Sequence, residues 1–263
     1  MKKFRLFGLS ALLPSLLWAN HPNYEFDKEK DKDYIFSASM LNEVGQRAIA
    51  TADQYLQELG PAKSTYAQDF FRSSLAHGTD THDFDLLEAY RTELILEQVH
   101  QNVETLFPGR SLRNPSWIWN NVGGVWGRLR ILYCSSKEYI ALFGTQLPQS
   151  GFSGTYRFMD VWDVMVTGKM HSYSADARNA FPVSYSPGDA SLLRKQEARH
   201  YDMERFTYMI DYGRGAIPAS FYAGVIAPFL FSSHDGHSLR KQLGDCGYSM
   251  FSNFGKGKPT ADS

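Results

Sequence analysis

Tyr208-Met209-Ile210-Asp211-Tyr212-Gly213-Arg214-Gly215 sets one carboxylate inside a run whose composition demands burial, and Val161-Trp162-Asp163-Val164-Met165-Val166 does the same earlier in the chain. Both runs are rich in the β-branched and aromatic residues that favour strands. Side chains alternate along a strand, so Ile210 and Trp162 point away from the face that carries the acids. An isolated carboxylate in an apolar wall costs far more than a hydrogen bond returns, so such an acid is paired, protonated or in use. Two of them facing each other would share a proton, and the pair would either donate it to an apolar substrate or hold an amine cation. The plainer reading is a salt bridge for each acid, Asp211 with nearby Arg214 for instance.

Around these runs the pattern is consistent. Arg130-Ile131-Leu132-Tyr133-Cys134, Glu138-Tyr139-Ile140-Ala141-Leu142-Phe143-Gly144 and Phe206-Thr207-Tyr208-Met209-Ile210-Asp211-Tyr212 are short strand-like runs separated by Gly, Pro and Ser turns, which suggests an antiparallel sandwich or barrel. Upstream of Trp117 the period changes to that of helices. Residues 36–59 space Leu41, Val44, Ala48, Ala52 and Leu56 at three and four and stop at Gly60-Pro61; further helices are predicted over 64–75 and 84–107. After the strands, the apolar stretch 217–231 is too short to span a bilayer and contains Pro218 and Pro228, which suits a core helix or one lying in a membrane interface. A polar helix is predicted over 233–254. The fold class is α+β.

Composition excludes several functions. Lys and Arg number 27 against 28 Asp and Glu, so no basic field recruits nucleic acid. Val122-Gly123-Gly124-Val125-Trp126-Gly127 lacks the spacing of a dinucleotide loop and reads as a tight turn. His77 with His82, and His234 with His237, lack the third ligand of a metal site, so no metal and no cofactor is predicted. Cys134 and Cys246 are 112 positions apart with no CxxC, leaving at most one long-range disulfide. No GxSxG or Cys and His pair supports covalent catalysis.

The start has the layout of an export signal: Lys2, Lys3 and Arg5, a 13-residue apolar run from Leu6 to Trp18, then Ala19-Asn20. Residues 1–19 are expected to be a signal peptide, or else an uncleaved anchor. The protein is then exported, periplasmic or membrane-associated.

Tyr139-Ile140-Ala141-Leu142-Phe143-Gly144-Thr145, Ser153-Gly154-Thr155-Tyr156 followed by Asp163 and Gly168, the Pro187-Gly188 turn, and above all Asp211-Tyr212-Gly213-Arg214-Gly215-Ala216-Ile217-Pro218 resemble the family of sterol C8–C7 isomerases and sigma non-opioid receptors in order and spacing. The resemblance covers about 84–255. Residues 20–83 then read as a helical N-terminal extension, and 256–263 as a tail.

What the resemblance implies is a cupin-like antiparallel β-barrel with an apolar interior, covered by two C-terminal helices that face a membrane surface, assembled as a homo-oligomer with a trimer favoured. It maps the family's acid pair onto Asp211 and Asp163, with Asp211 standing where the family usually has glutamate. Tyr139 matches the tyrosine that supports the pair, and Glu138 the acid beside it. Trp162, Phe158, Tyr173, Phe181, Tyr208 and Met209 are candidates for lining the cavity, with ordinary core packing as the alternative reading of these aromatics. The implied ligand is a hydrophobic small molecule, a sterol or a cationic amphiphile. The implied activities are movement of a sterol double bond from C8=C9 to C7=C8, with Asp211 and Asp163 as coupled acid and base, or noncatalytic binding of hydrophobic amines, sterols or other lipids.

Overall fold

The computed structural model describes residues 33–73, 85–175 and 181–256. The leader at 1–19, the His77 and His82 pair and the end of the tail lie outside the described residues. Helix α1 spans Ala38–Leu59, and Ser37 caps it by accepting from the Met40 N–H. Helix α2 is Lys63–Phe70. Helix α3 spans Leu86–Leu106, capped by Asp85, whose carboxylate accepts from the Leu87 and Glu88 N–H groups.

Ten strands follow, all paired antiparallel: β1 Ile118–Val122, β2 Val125–Cys134, β3 Glu138–Thr145, β4 Gln149–Phe152, β5 Met159–Thr167, β6 Met170–Tyr173, β7 Val183–Tyr185, β8 Ala190–Leu193, β9 His200–Met203 and β10 Thr207–Gly215. They form a six-stranded sheet in the order β1-β2-β3-β10-β5-β8 and a four-stranded sheet in the order β4-β9-β6-β7. The expected closed barrel is therefore replaced, among the described residues, by two sheets facing each other. Where β4 meets the β1–β2 turn the contact is between glycines: a methyl on Gly124 would overlap the Phe152 backbone, and one on Gly151 the Gly124 carbonyl. Backbones cross there in close contact without a ladder, so the sheet is not closed. Gly123 and Gly124 both have positive φ, 60° and 81°, as a two-residue hairpin turn requires. The glycine-rich run is thus a turn.

Strand β10 is central and buried on both faces. Its outward residues Tyr208, Ile210 and Tyr212 pack with Ile140, Leu142, Val164 and Val166 against Leu41, Val44 and Ala48 of α1 and Ile95 and Val99 of α3. Its inward residue Met209 joins Ala141, Phe143 and Met165, which meet Met170, Tyr201 and Met203 of the small sheet. Helix α1, in the stretch that the resemblance leaves as an N-terminal extension, is thus packed into the hydrophobic core on this face of the sheet. Burying a side chain such as Leu41 contributes about 1.5–3 kcal/mol, so the sheet's outer face depends on this helix.

Glu138 fixes how the chain enters α1. Its carboxylate accepts from the Ile35 N–H at 2.8 Å and the Phe36 N–H at 3.3 Å, and lies 3.0 Å from the Tyr212 hydroxyl. Arg214 donates to the Tyr212 hydroxyl at 2.6 Å and to the Phe36 carbonyl at 2.8 Å. Burial raises the Glu138 pKa, and the backbone N–H groups of Ile35 and Phe36 pull it back down.

The apolar stretch after β10 forms the short helix α4, Ile217–Phe221, and continues through wide turns at Tyr222–Ile226 and Phe229–Ser233. Pro228, which has no N–H to return to the preceding turn, lies between the two. Helix α5, Gly236–Asn253, is capped by Asp235, which accepts from the His237 and Ser238 N–H groups. Among the described residues no helix is long and apolar enough to cross a membrane.

Glu138→Ala leaves the buried Phe36 N–H and the half-buried Ile35 N–H without their acceptor, a loss on the order of 2–4 kcal/mol. Glu138→Gln keeps one carbonyl and is expected to cost less. Urea unfolding of the two variants beside the wild type measures the difference.

Candidate active site

In the register of β10 with β5, Asp211 stands opposite Asp163, and on the other side it stands opposite Ala141 of β3. Directly opposed side chains start about 4.5–5.5 Å apart at Cβ. Alternation puts both carboxyls on the inward face, where they are 1% and 7% exposed. The small Ala141 leaves room on the third side. Arg214 does not pair with Asp211, because it lies on the outward side with Phe36 and Tyr212.

Tyr139 completes the arrangement. It stands opposite Gly213, and its hydroxyl donates to Asp211 Oδ1 at 2.8 Å. The ring reaches Asp211, two residues along, by lying across the backbone of Gly213, and any Cβ there would overlap the ring. The glycine of the Tyr212-Gly213-Arg214 run is therefore required by the tyrosine on the neighbouring strand.

Two cavities meet at this pair. The larger has about 560 Å³ of empty space and lies between the sheet and the C-terminal helices, lined by Leu129, Ile131, Met159, Ile217, Phe221 and Val225, with Tyr139 and Asp211 in its wall. The smaller, about 350 Å³, lies between the sheets and is lined by Phe143, Val161, Met170 and Met209, with Asp163 in its wall. Tyr156 lines both, and its hydroxyl accepts from the Gly123 N–H.

The electrostatics of the pair follow from its surroundings. Burial raises the Asp163 pKa to about 7, against a weaker pull downward from Arg199. Asp211 is pushed well above the usual carboxylate range, first by burial and then by the Asp163 charge, while the Tyr139 hydrogen bond opposes the rise. Burial and mutual repulsion therefore keep a proton on the pair near neutral pH, and the carboxyl facing the larger cavity is raised well above the usual carboxylate range.

The remaining candidates separate by face. Met209 lines the smaller cavity. Trp162 is on the outward face, its ring 5.7 Å from that of Tyr212 and the Arg214 guanidinium 5.0 Å above it. Tyr208 is there too, accepting from Arg128 Nε at 2.9 Å. Glu138 holds the entry to α1. Each neighbours an inward residue, and alternation sends it the other way. Phe158, Tyr173 and Phe181 are exposed, Phe181 at 85%, and line neither cavity. Cys134 and Cys246 carry free buried thiols that line the larger cavity; the hydrogen bond with Cys246, and then burial, raise the Cys134 pKa. Among the described residues no group of His, Cys, Asp and Glu is arranged to hold a metal ion. The cavity residues missed by sequence reasoning, Tyr156, Ile217, Phe221 and Val225 among them, come from a loop and from helices whose placement has no local signal.

The family described as "ERG2 and Sigma1 receptor like protein" matches residues 68–258. A "C-8 sterol isomerase erg2" of Aspergillus fumigatus is 27% identical over 227 residues, 86% of this chain and 77% of the relative. A "Sigma non-opioid intracellular receptor 1" of Taricha granulosa is 29% identical over 201 residues, 76% of this chain and 86% of the relative. Among solved structures, an RmlC-like cupin from Shewanella frigidimarina aligns at a TM-score of 0.32 and 13% identity, over 41% of this chain and 95% of that one.

Between pH about 4 and about 7 the native protein holds a proton on Asp163 that the unfolded chain has released. The native state binds more protons there, so stability falls as pH rises through this window. Asp163→Asn is expected to make the decline shallower, which urea midpoints at a series of pH values measure.

Proposed function

This chain belongs to the family of ERG2 and Sigma1 receptor like proteins, and from that membership we propose that it is a sterol Δ8–Δ7 isomerase whose acid is Asp211. The observation that carries the proposal is a pair of buried carboxyls directly opposed on neighbouring strands, one of them held by Tyr139 in the wall of an apolar cavity, where burial raises both above the usual carboxylate range. Protonation of the C8=C9 double bond at C9 puts a tertiary cation at C8. Loss of the C7 proton then gives C7=C8, with no net change in atoms or charge. Such an acid is poised to donate because burial has already removed the solvation that would favour its anion.

Once the proton has left, two carboxylates stand beside the cation and stabilise it without reorganising. The pair then takes the C7 proton. Tyr139, lying across Gly213, keeps the Asp211 carboxyl aimed while its charge changes. Aspartate in place of the family's glutamate is one methylene shorter, so the substrate must approach β10 correspondingly closer. The same negative pair suits an ammonium group, which favours the receptor-like reading as the second outcome of the test below.

The C-terminal helices leave Tyr222, Leu230, Phe231, Tyr248, Phe251 and Phe254 exposed. Apolar surface of this extent supports a membrane-facing role, with the ligand entering from the lipid side. Export by the leader and assembly as a homo-oligomer belong to the same proposal and rest on the leader pattern and the resemblance.

Incubation with a Δ8-sterol in deuterated water is expected to yield Δ7 product carrying deuterium at C9, read by mass spectrometry. Asp211→Asn should lower turnover by about 10²–10⁴-fold. No conversion, with saturable binding of a hydrophobic amine that Asp211→Asn removes, would assign binding without turnover. Flotation with lipid vesicles should be lost when Phe231 and Phe251 are both replaced by aspartate, and unchanged flotation would remove the membrane-facing role.

A further inference from the structure

The larger cavity has a second polar point in its wall. Gln242 lines it from helix α5, whereas Asp211 lines it from strand β10. Gln242 is 5% exposed, and among the described residues its side-chain carbonyl oxygen has no hydrogen-bond partner. Asn120, also in this wall, is different: its side-chain carbonyl already accepts from the Asn121 N–H at 2.7 Å. A buried carbonyl without a donor is a standing cost, one that a donor on a bound ligand would remove. Among the other polar groups of this lining, the Ser220 hydroxyl already donates to the Ala216 carbonyl, and the Cys134 and Cys246 thiols are weak donors.

We infer that Gln242 is a specificity-determining residue that accepts a hydrogen bond from a ligand hydroxyl, so that the cavity selects apolar alcohols over their ethers. The ligand class is then a hydrophobic molecule with two recognised features, an alkene or amine at the acid pair and an alcohol at α5. The inference rests on the reading of this cavity as the ligand site, but it concerns a different residue and a different part of the ligand.

The test uses two matched pairs of probes: a Δ8-sterol with a free hydroxyl and its O-methyl ether, and a hydrophobic amine with a terminal hydroxyl and its O-methyl ether. The full-length wild type is expected to bind each alcohol about tenfold more tightly than its ether, the scale of one hydrogen bond. Gln242→Leu should abolish that preference, leave the affinity for the ethers within about twofold, and raise the melting temperature of the ligand-free protein, because the orphaned carbonyl is gone. Gln242→Met, of the same length and equally apolar, should behave alike and serves if the leucine variant does not fold. Retention of the alcohol preference in both variants would overturn the role of Gln242 while leaving the ligand site intact. Equal binding of alcohol and ether by the wild type would overturn it as well. Absence of saturable binding of all four probes would remove the ligand-site reading, and this inference with it.

Discussion

Two carboxyl groups face each other across adjacent strands in an apolar wall, and they resist being charged together there unless a cation stands beside them. Much of the architecture around β10 follows from that constraint. Desolvation and mutual repulsion act in the same direction, so one proton stays on the pair near neutral pH. The two acids differ in surroundings: Arg199 favours the anion at Asp163, while Asp211 feels the charge of its neighbour and faces the larger cavity. The Tyr139 hydroxyl favours the Asp211 carboxylate and fixes its position, donating at 2.8 Å across a strand that has no side chain at position 213.

Keeping such a pair dry requires cover on both faces of β10. Outside, α1 and α3 pack on Tyr208, Ile210 and Tyr212. Inside, the small sheet and the C-terminal helices enclose the cavities. Glu138 links the two tasks, since it stands beside Tyr139 on β3 and holds the backbone that leads into α1. One step along β3 thus separates the residue that aims the acid from the residue that fastens the helix behind it. The Tyr212 hydroxyl and Arg214 close the same junction from β10. The helices before the strands consequently belong to the domain as much as the sheet does.

The roof of the larger cavity is made differently. Its strand wall comes from a regular ladder, where register fixes each side chain, but its helical wall comes from α4, the wide turns after it and α5. There the chain turns apolar residues both inward, as Val225 and Phe229, and outward, as Phe231 and Phe251. A helical stretch apolar on both sides has two apolar surroundings to satisfy, and the cavity is one of them.

The sequence by itself determined that strands lie at 161–166 and within 206–212, that each carries an inward acid, that helices fall within 36–59 and 84–107, and that Gly123-Gly124 is a turn. These are local facts, set by side-chain period and by the backbone freedom of glycine, and a reader of the chain has all the terms. Resemblance added the pairing of Asp211 with Asp163 and the supporting role of Tyr139. Tertiary structure decided the rest. It opened the expected barrel into two sheets, because a glycine crossing at Gly124 and Gly151 replaces a ladder. It sent Trp162, Tyr208 and Glu138 to the face opposite the cavity and left Phe158, Tyr173 and Phe181 at the surface. Alternation could have assigned the first three, but an aromatic residue is equally at home in a core and in a ligand wall, and composition does not separate them. Tyr156 stood in a run that carried the resemblance but with no role attached, and Gln242 had no signal, because what makes each matter is the absence or presence of a partner from elsewhere in the chain, and only packing brings such partners together.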